Sequence, residues 1–98
     1  MCGAPDQAAA LPDGTNLAKE TVLTGRVLAA GQPVGGAFVR LLDGSGEFTA
    51  EVVSSATGVF RFFANPGRWT VRALAPGASG EAVLDAAAGF TETTVTVA

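Results

Sequence analysis

In three segments of this chain, apolar side chains alternate with other side chains at a period of two. Each segment begins at a Pro/Gly or Thr/Gly turn signal. They are residues 33–41, 57–62 and 66–71. A period of two places successive side chains on opposite faces of a β-strand. Four further segments with weaker alternation bring the predicted strands to seven, at about residues 23–28, 37–42, 48–54, 58–64, 69–73, 81–86 and 90–97. Short strands separated by turn signals predict an all-β, seven-stranded antiparallel Greek-key sandwich.

The alternation also assigns an inner and an outer face to each strand. One set of positions is apolar: Val27, Val39, Phe60 and Val71. The opposite set carries arginines: Arg26, Arg40, Arg61 and Arg72. Charged side chains are almost never buried without a partner, so the apolar set is predicted to form the core. Trp69 shares the parity of the apolar set and is predicted to lie in the core.

Length and composition indicate one ordered domain. The chain has 98 residues, of which 48% are hydrophobic and 15% charged, the reverse of the balance in disordered chains. Residues 1–18 lack sustained periodicity and are predicted to form a mobile or loosely packed tail, with the sandwich domain spanning residues 19–98. A net charge of −3 and scattered arginines argue against nucleic acid as a partner.

The sequence also bounds the location of the chain. A bilayer span needs about 18 consecutive apolar residues, which this sequence lacks, so no membrane contact is expected. The N-terminus has no secretion-signal pattern, and a single cysteine cannot form an internal disulfide. A cytoplasmic location is therefore expected, although a mature exported chain would share this sequence.

The residue types that usually carry catalysis are missing. There is no histidine, which removes Ser-His-Asp and Cys-His catalysis and imidazole metal ligation. One cysteine cannot supply a zinc site. Residues 43–47 resemble a calcium loop superficially, but a turn is favoured because the segment supplies too few oxygens. No enzyme activity, cofactor or metal is therefore expected.

Several motifs resemble the carboxypeptidase regulatory-like domain, which has a transthyretin-like (prealbumin-like) sandwich. They lie at residues 24–27, 33–34, 36–41, 57–60 and 66–71. Longer stretches are similar to small actinobacterial SseC-type proteins, a family of unknown function described as sulfur-metabolism proteins: residues 1–5, 19–22, 35–43, 47–53 and 60–63. The first resemblance implies a transthyretin-like fold, and the second implies a thiosulfate sulfurtransferase as a partner.

Cys2 is the one candidate for covalent chemistry. If Met1 is removed, its thiol lies beside the α-amine, and a nearby ammonium lowers a thiol pKa. Such a thiol could accept a sulfane sulfur and carry it as a persulfide. The alternative is an incidental exposed thiol, and the residues alone favour that alternative.

The outward positions supply a candidate interaction face. It comprises Phe38, Arg40, Arg61, Phe63 and Arg72. The arginines either form ordinary cross-strand ion pairs with Glu47, Glu51 and Glu92 or create an anion-binding patch. The outward Phe38, Leu42 and Phe63 either form a partner surface or homo-oligomer contact, or lie under the tail through Leu11 and Leu17, unless the register slips by one.

These observations favour a non-catalytic accessory or interaction domain in sulfur metabolism. The alternatives are a persulfide carrier acting through Cys2 and a module that binds small ligands or carbohydrates. Sandwich folds host many functions, so the fold alone does not choose among the three.

Overall fold

A computed structural model describes residues 20–98, and β-strands account for most of them. The strands are β1 Thr21–Ala29, β2 Gln32–Pro33, β3 Phe38–Leu42, β4 Phe48–Val53, β5 Val59–Ala64, β6 Gly67–Ala75, β7 Ala78–Ala86 and β8 Gly89–Thr96. The seven longer strands correspond to the seven predicted segments. The additional strand is the two-residue β2, which lies between the first two predicted strands.

The strands form two four-stranded sheets. In sheet A, β1 pairs with β2, β5 and β8, and in sheet B the order is β4-β3-β6-β7. The predicted all-β sandwich is confirmed. Every strand pair is antiparallel apart from β1 and β8, which run parallel from Thr21↔Gly89 to Leu28↔Thr96. No hairpin joins these two strands, so no tight turn forces them to run in opposite directions.

The core lies between the sheets and includes the four apolar positions predicted to face inward. Val27, Val39, Phe60 and Val71 are completely buried. Phe60 and Phe62 also pack against each other, with ring centroids 6.1 Å apart and planes tilted by 55°. Burying each such side chain contributes about 1.5–3 kcal/mol, so these positions hold the two sheets together.

Trp69 departs from its predicted place in the core. Its side chain is partly buried and packs against the edge of the core cluster. The indole N–H donates a hydrogen bond to the carbonyl of Asn65, with 2.8 Å between nitrogen and oxygen. Trp69 lies near the start of β6, at the open end of the sandwich, where the inward-facing side of a strand is no longer fully covered.

Ser54 fixes the entry of the chain into β3. Its hydroxyl accepts a hydrogen bond from the Ala37 amide at 2.9 Å and donates one to the Val34 carbonyl at 2.7 Å. The Ser54 amide in turn donates to the Ala37 carbonyl at 2.9 Å. A buried hydroxyl with both roles satisfied stabilises its neighbours, so β3 begins in a defined position with Phe38 on its outer side.

Candidate functional site

A row of four charged side chains crosses the outer face of sheet B. Glu51 on β4, Arg40 on β3, Arg72 on β6 and Glu81 on β7 are neighbours in register. Arg40 Nε lies 2.7 Å from Glu51 Oε2, and Arg72 Nη2 lies 3.0 Å from Glu81 Oε2. We call these residues the charged row. Its charges sum to zero and are arranged minus, plus, plus, minus across the sheet.

Apolar side chains lie on both sides of the charged row. On one side Phe38 is 51% exposed, with Val53 and Leu74 as its neighbours in register. On the other side Phe48 and Val83 are also largely exposed. Exposed large apolar side chains therefore surround the two arginines on a single face of the molecule.

The outer face of sheet A carries a separate apolar group. Val22 lies between Phe63 and Phe90 in register. Both phenylalanines are about half exposed, whereas Val22 is completely buried. Arg61 is on this same face, next to Thr24. The predicted tail cover by Leu11 and Leu17 lies outside the described residues.

The structure therefore divides the candidate interaction face between two opposite surfaces. Phe38, Arg40 and Arg72 lie on sheet B, whereas Arg61 and Phe63 lie on sheet A. All five side chains do point away from the core, as alternation predicted. They cannot form one continuous surface, because the hydrophobic core separates the sheets. A binding role for either group remains a prediction.

Several residues of the sheet B face were missed in the sequence. Glu81, Phe48 and Val83 belong to it, and Glu81 is the ion-pair partner of Arg72. For Glu81 and Val83 the available signal was parity, since both have the outward phase of β7. Phe48 has the inward parity of β4, and only the register shift between Leu41 and Leu42 brings it to the outer face. Parity does not show which strands are neighbours, however, so Glu81 could not be matched to Arg72. Of the three glutamates considered in the sequence, Glu51 pairs with Arg40, which agrees with the ion-pair alternative for that arginine.

A cleft with a volume of about 460 Å³ lies at the open end of the sandwich. Its lining includes Thr21, Phe63, Asn65 and Trp69. The Trp69 indole N–H is already bound to Asn65, which leaves the ring as an apolar wall. This cleft gives the predicted small-ligand or carbohydrate role a location, and that role stays a prediction.

The turn at Asp43 behaves as a structural turn. One carboxylate oxygen of Asp43 accepts hydrogen bonds from the Ser45 amide at 2.9 Å, the Ser45 hydroxyl at 2.7 Å and the Glu47 amide at 3.0 Å. These bonds, above all that from the Ser45 hydroxyl, hold the pKa of the Asp43 carboxyl below its ordinary value of 3.8. Within residues 20–98 no group of three Cys, Asp or Glu side chains is placed to hold a metal ion.

Two further predictions concern Cys2 as a sulfur carrier and the absence of membrane contact. Cys2 lies outside the described residues, so the sulfur-carrier hypothesis stays a prediction. In residues 20–98 no helix has the length and apolar character needed to cross a membrane.

Comparison with known proteins gives a family and a fold. The family described as "Protein of unknown function (DUF1416)" matches residues 2–97. Two uncharacterized proteins of Mycobacterium tuberculosis, Rv0814c and Rv3118, are each 59% identical over 99 residues, covering 99% of both chains. An uncharacterized protein of Mycolicibacterium smegmatis is 63% identical over 90 residues, covering 90% of this chain and all of its own.

A solved structure supports the fold alone. The crystal structure of a DUF3823 family protein from Parabacteroides merdae is similar with a TM-score of 0.61 and 19% sequence identity. The match covers 80% of this chain and 45% of that chain, so the present chain corresponds to under half of the other protein.

Proposed function

We propose that this chain, which belongs to the DUF1416 family of proteins of unknown function, is a non-catalytic domain that binds another protein through the outer face of sheet B. One observation carries the proposal: Phe38, Phe48 and Val83 are exposed around Arg40 and Arg72 on one face. Large apolar side chains grouped on the surface of a small domain commonly mark a contact with a partner.

The composition of the face favours a protein partner over a free anion. Aromatic side chains and arginine are enriched in protein interfaces and carry much of their binding energy. Arg40 and Arg72 are each paired with a glutamate, which offsets the positive charge that would attract a free anion. The ion pairs also hold the two guanidinium groups in place, so less side-chain freedom is lost when a partner binds.

The charge pattern indicates what the partner surface should carry. Arg40 and Arg72 are neighbours in register at the centre of the face, and the glutamates lie toward its edges. A complementary surface therefore has an acidic side chain near its centre and apolar side chains on either side. The thiosulfate sulfurtransferase implied by the sequence resemblance is the first partner to test, and that assignment rests on the resemblance alone.

The experiment compares two phenylalanines of nearly equal exposure on opposite faces. Phe38 is 51% exposed on sheet B and Phe90 is 49% exposed on sheet A. Isothermal titration of the purified chain with the purified sulfurtransferase should show binding that Phe38→Ser weakens about 10-fold or more and that Phe90→Ser leaves nearly unchanged.

Other outcomes would reject parts of the proposal. Weakening by Phe90→Ser alone would move the binding surface to sheet A. No binding by the unmodified chain would reject the sulfurtransferase. In both variants, circular dichroism should show the native β signal, because neither side chain belongs to the buried core.

A further inference from the structure

The outer edge of β4 carries backbone groups that face away from the sheet. β4 is the last strand of sheet B and pairs with β3. The Ser54 amide donates to the Ala37 carbonyl at 2.9 Å and the Ser54 carbonyl accepts from the Gly36 amide at 3.0 Å, so both backbone groups of Ser54 point toward the segment that enters β3. Hydrogen-bonded and non-hydrogen-bonded pairs alternate along an antiparallel ladder. The N–H and C=O groups of Glu51 and Val53 therefore point outward from the edge.

This edge lacks most of the features that usually protect edge strands. Natural edges are blocked by charged side chains, above all lysine, or by proline, bulges or covering segments, and the one charged residue of β4 is Glu51. β4 has the sequence FTAEVV, which contains neither lysine nor proline. Its register shift lies opposite Leu41 and Leu42, at the Phe48 end of the strand, and leaves the segment at Glu51 and Val53 regular. Beyond the strand pairings, no backbone hydrogen bond within residues 20–98 involves either residue.

We propose that β4 pairs with β4 of a second copy of the chain, antiparallel and about a two-fold axis at Val52. In this register Glu51 of each copy lies opposite Val53 of the other. Each of these two pairs exchanges two backbone hydrogen bonds, so four outward-facing groups of each copy are satisfied. Two four-stranded sheets join into one sheet of eight strands.

The side chains select this register from the alternatives. Hydrogen bonding requires the outward residues to face one another. The neighbouring register centred on Glu51 places Glu51 opposite Glu51, and the one centred on Val53 places Glu51 opposite Ser55, whose amide and carbonyl already bond to Val59 and Gly58. Like charges directly opposite each other are destabilising. The register centred on Val52 avoids this repulsion. It is also symmetric, because each copy contributes the same residues to the contact. A second copy therefore supplies hydrogen-bond partners for the outward N–H and C=O groups of Glu51 and Val53, and no other segment is needed.

The dimer goes beyond the proposed function and does not depend on it. The two-fold axis is perpendicular to the sheet, so the charged rows of the two copies lie on the same side of the joined sheet. A contact made by one strand pair is small, which predicts weak association that depends on concentration. The test therefore extends to about 1 mM chain, where contacts of millimolar affinity are detected.

A matched pair of substitutions tests the register. In the dimer, residue 53 of one copy faces Glu51 of the other, so Val53→Glu places like charges opposite each other twice. Val53→Lys at the same position places opposite charges there. Sedimentation equilibrium of the full chain should show a dissociation constant raised about 2- to 30-fold by Val53→Glu and lowered by a similar factor by Val53→Lys.

Amide exchange provides a second measurement that needs no variant. The Glu51 and Val53 amides should exchange more slowly as the chain concentration rises. A chain that stays monomeric at about 1 mM would overturn the proposal, as would equal effects of Val53→Glu and Val53→Lys. All of these measurements use the free chain, so failure to bind a partner protein leaves their outcome unchanged.

Discussion

At the scale of single residues, Asp43 couples the stability of a turn to pH. The bonds from Ser45 and Glu47 lower the pKa of its carboxyl in the folded chain. Because the folded pKa is lower than the unfolded one, the contribution is fully present above about pH 4. It is lost as the pH falls through the folded pKa. A titration of the Asp43 carboxyl followed by NMR should therefore give a midpoint below 3.8.

The matched variants for this titration are Ser45→Ala and Asp43→Asn. Removing the Ser45 hydroxyl deletes the largest cause of the shift and should move the midpoint upward. Asp43→Asn keeps an oxygen acceptor but has no carboxyl that titrates. The free energy of unfolding of this variant should therefore fall less on acidification than that of the unmodified chain. A midpoint at or above 3.8 in the unmodified chain would contradict the geometry of the turn.

Trp69 shows what alternation predicts for a residue and what it does not. Parity correctly places its side chain on the inner side of β6, with Val71 two residues further along. Val71 is fully buried, whereas Trp69 is only partly buried. The difference arises from position along the strand, because the core ends near the Asn65 turn. A pattern within one strand carries no information about where the opposite sheet ends.

At the scale of the elements, the seven longer strands and their inner faces could be predicted because both follow from local alternation. The pairing of strands could not. Arg40 and Arg61 each lie at an outward-facing position of their own strand, yet Arg40 lies on sheet B and Arg61 on sheet A. Sheet membership depends on which distant segments pair, and the parallel contact between β1 and β8 joins opposite ends of the described chain.

Gly25 illustrates a constraint that arises only from the packing of elements. It lies on the inner side of β1, where a Cβ would overlap the Thr93 carbonyl on β8 and approach the Phe60 ring to 2.8 Å. Gly25→Ala should therefore lower the free energy of unfolding by about 1–3 kcal/mol, since the strands must move apart. Urea denaturation measures the loss.

The control for this prediction is Gly44→Ala. At Gly44 the nearest atom to a Cβ is the Arg68 carbonyl oxygen at 3.7 Å, an ordinary contact. Its substitution should change the free energy of unfolding by no more than about 0.5 kcal/mol, as is usual for surface positions. Equal losses at both positions would show that the close approach of Thr93 and Phe60 does not limit the residue at Gly25.

At the scale of the whole molecule, the two sheets expose different surfaces. Sheet B combines exposed apolar side chains with the charged row, whereas the exposed apolar side chains of sheet A are Phe63 and Phe90 beside the buried Val22. The core between them is drawn from both sheets, so a substitution at an exposed position on either outer face should leave the fold intact. This separation is what makes Phe38 and Phe90 a matched pair for the binding experiment.

The same distribution of buried side chains predicts that residues 19–98 fold without residues 1–18. Among residues 20–98 the core cluster extends from Leu23 to Val97 and draws side chains from both sheets, so this part of the chain contains a core of its own. The Glu20 carbonyl accepts a hydrogen bond from the Gly89 amide at 2.8 Å, so a chain beginning at Lys19 retains the start of β1. Urea denaturation of this shortened chain should give one cooperative transition with a slope close to that of the full chain, because the slope follows the surface exposed on unfolding. A broad, non-cooperative transition would instead show that residues 1–18 are needed to complete the folded unit.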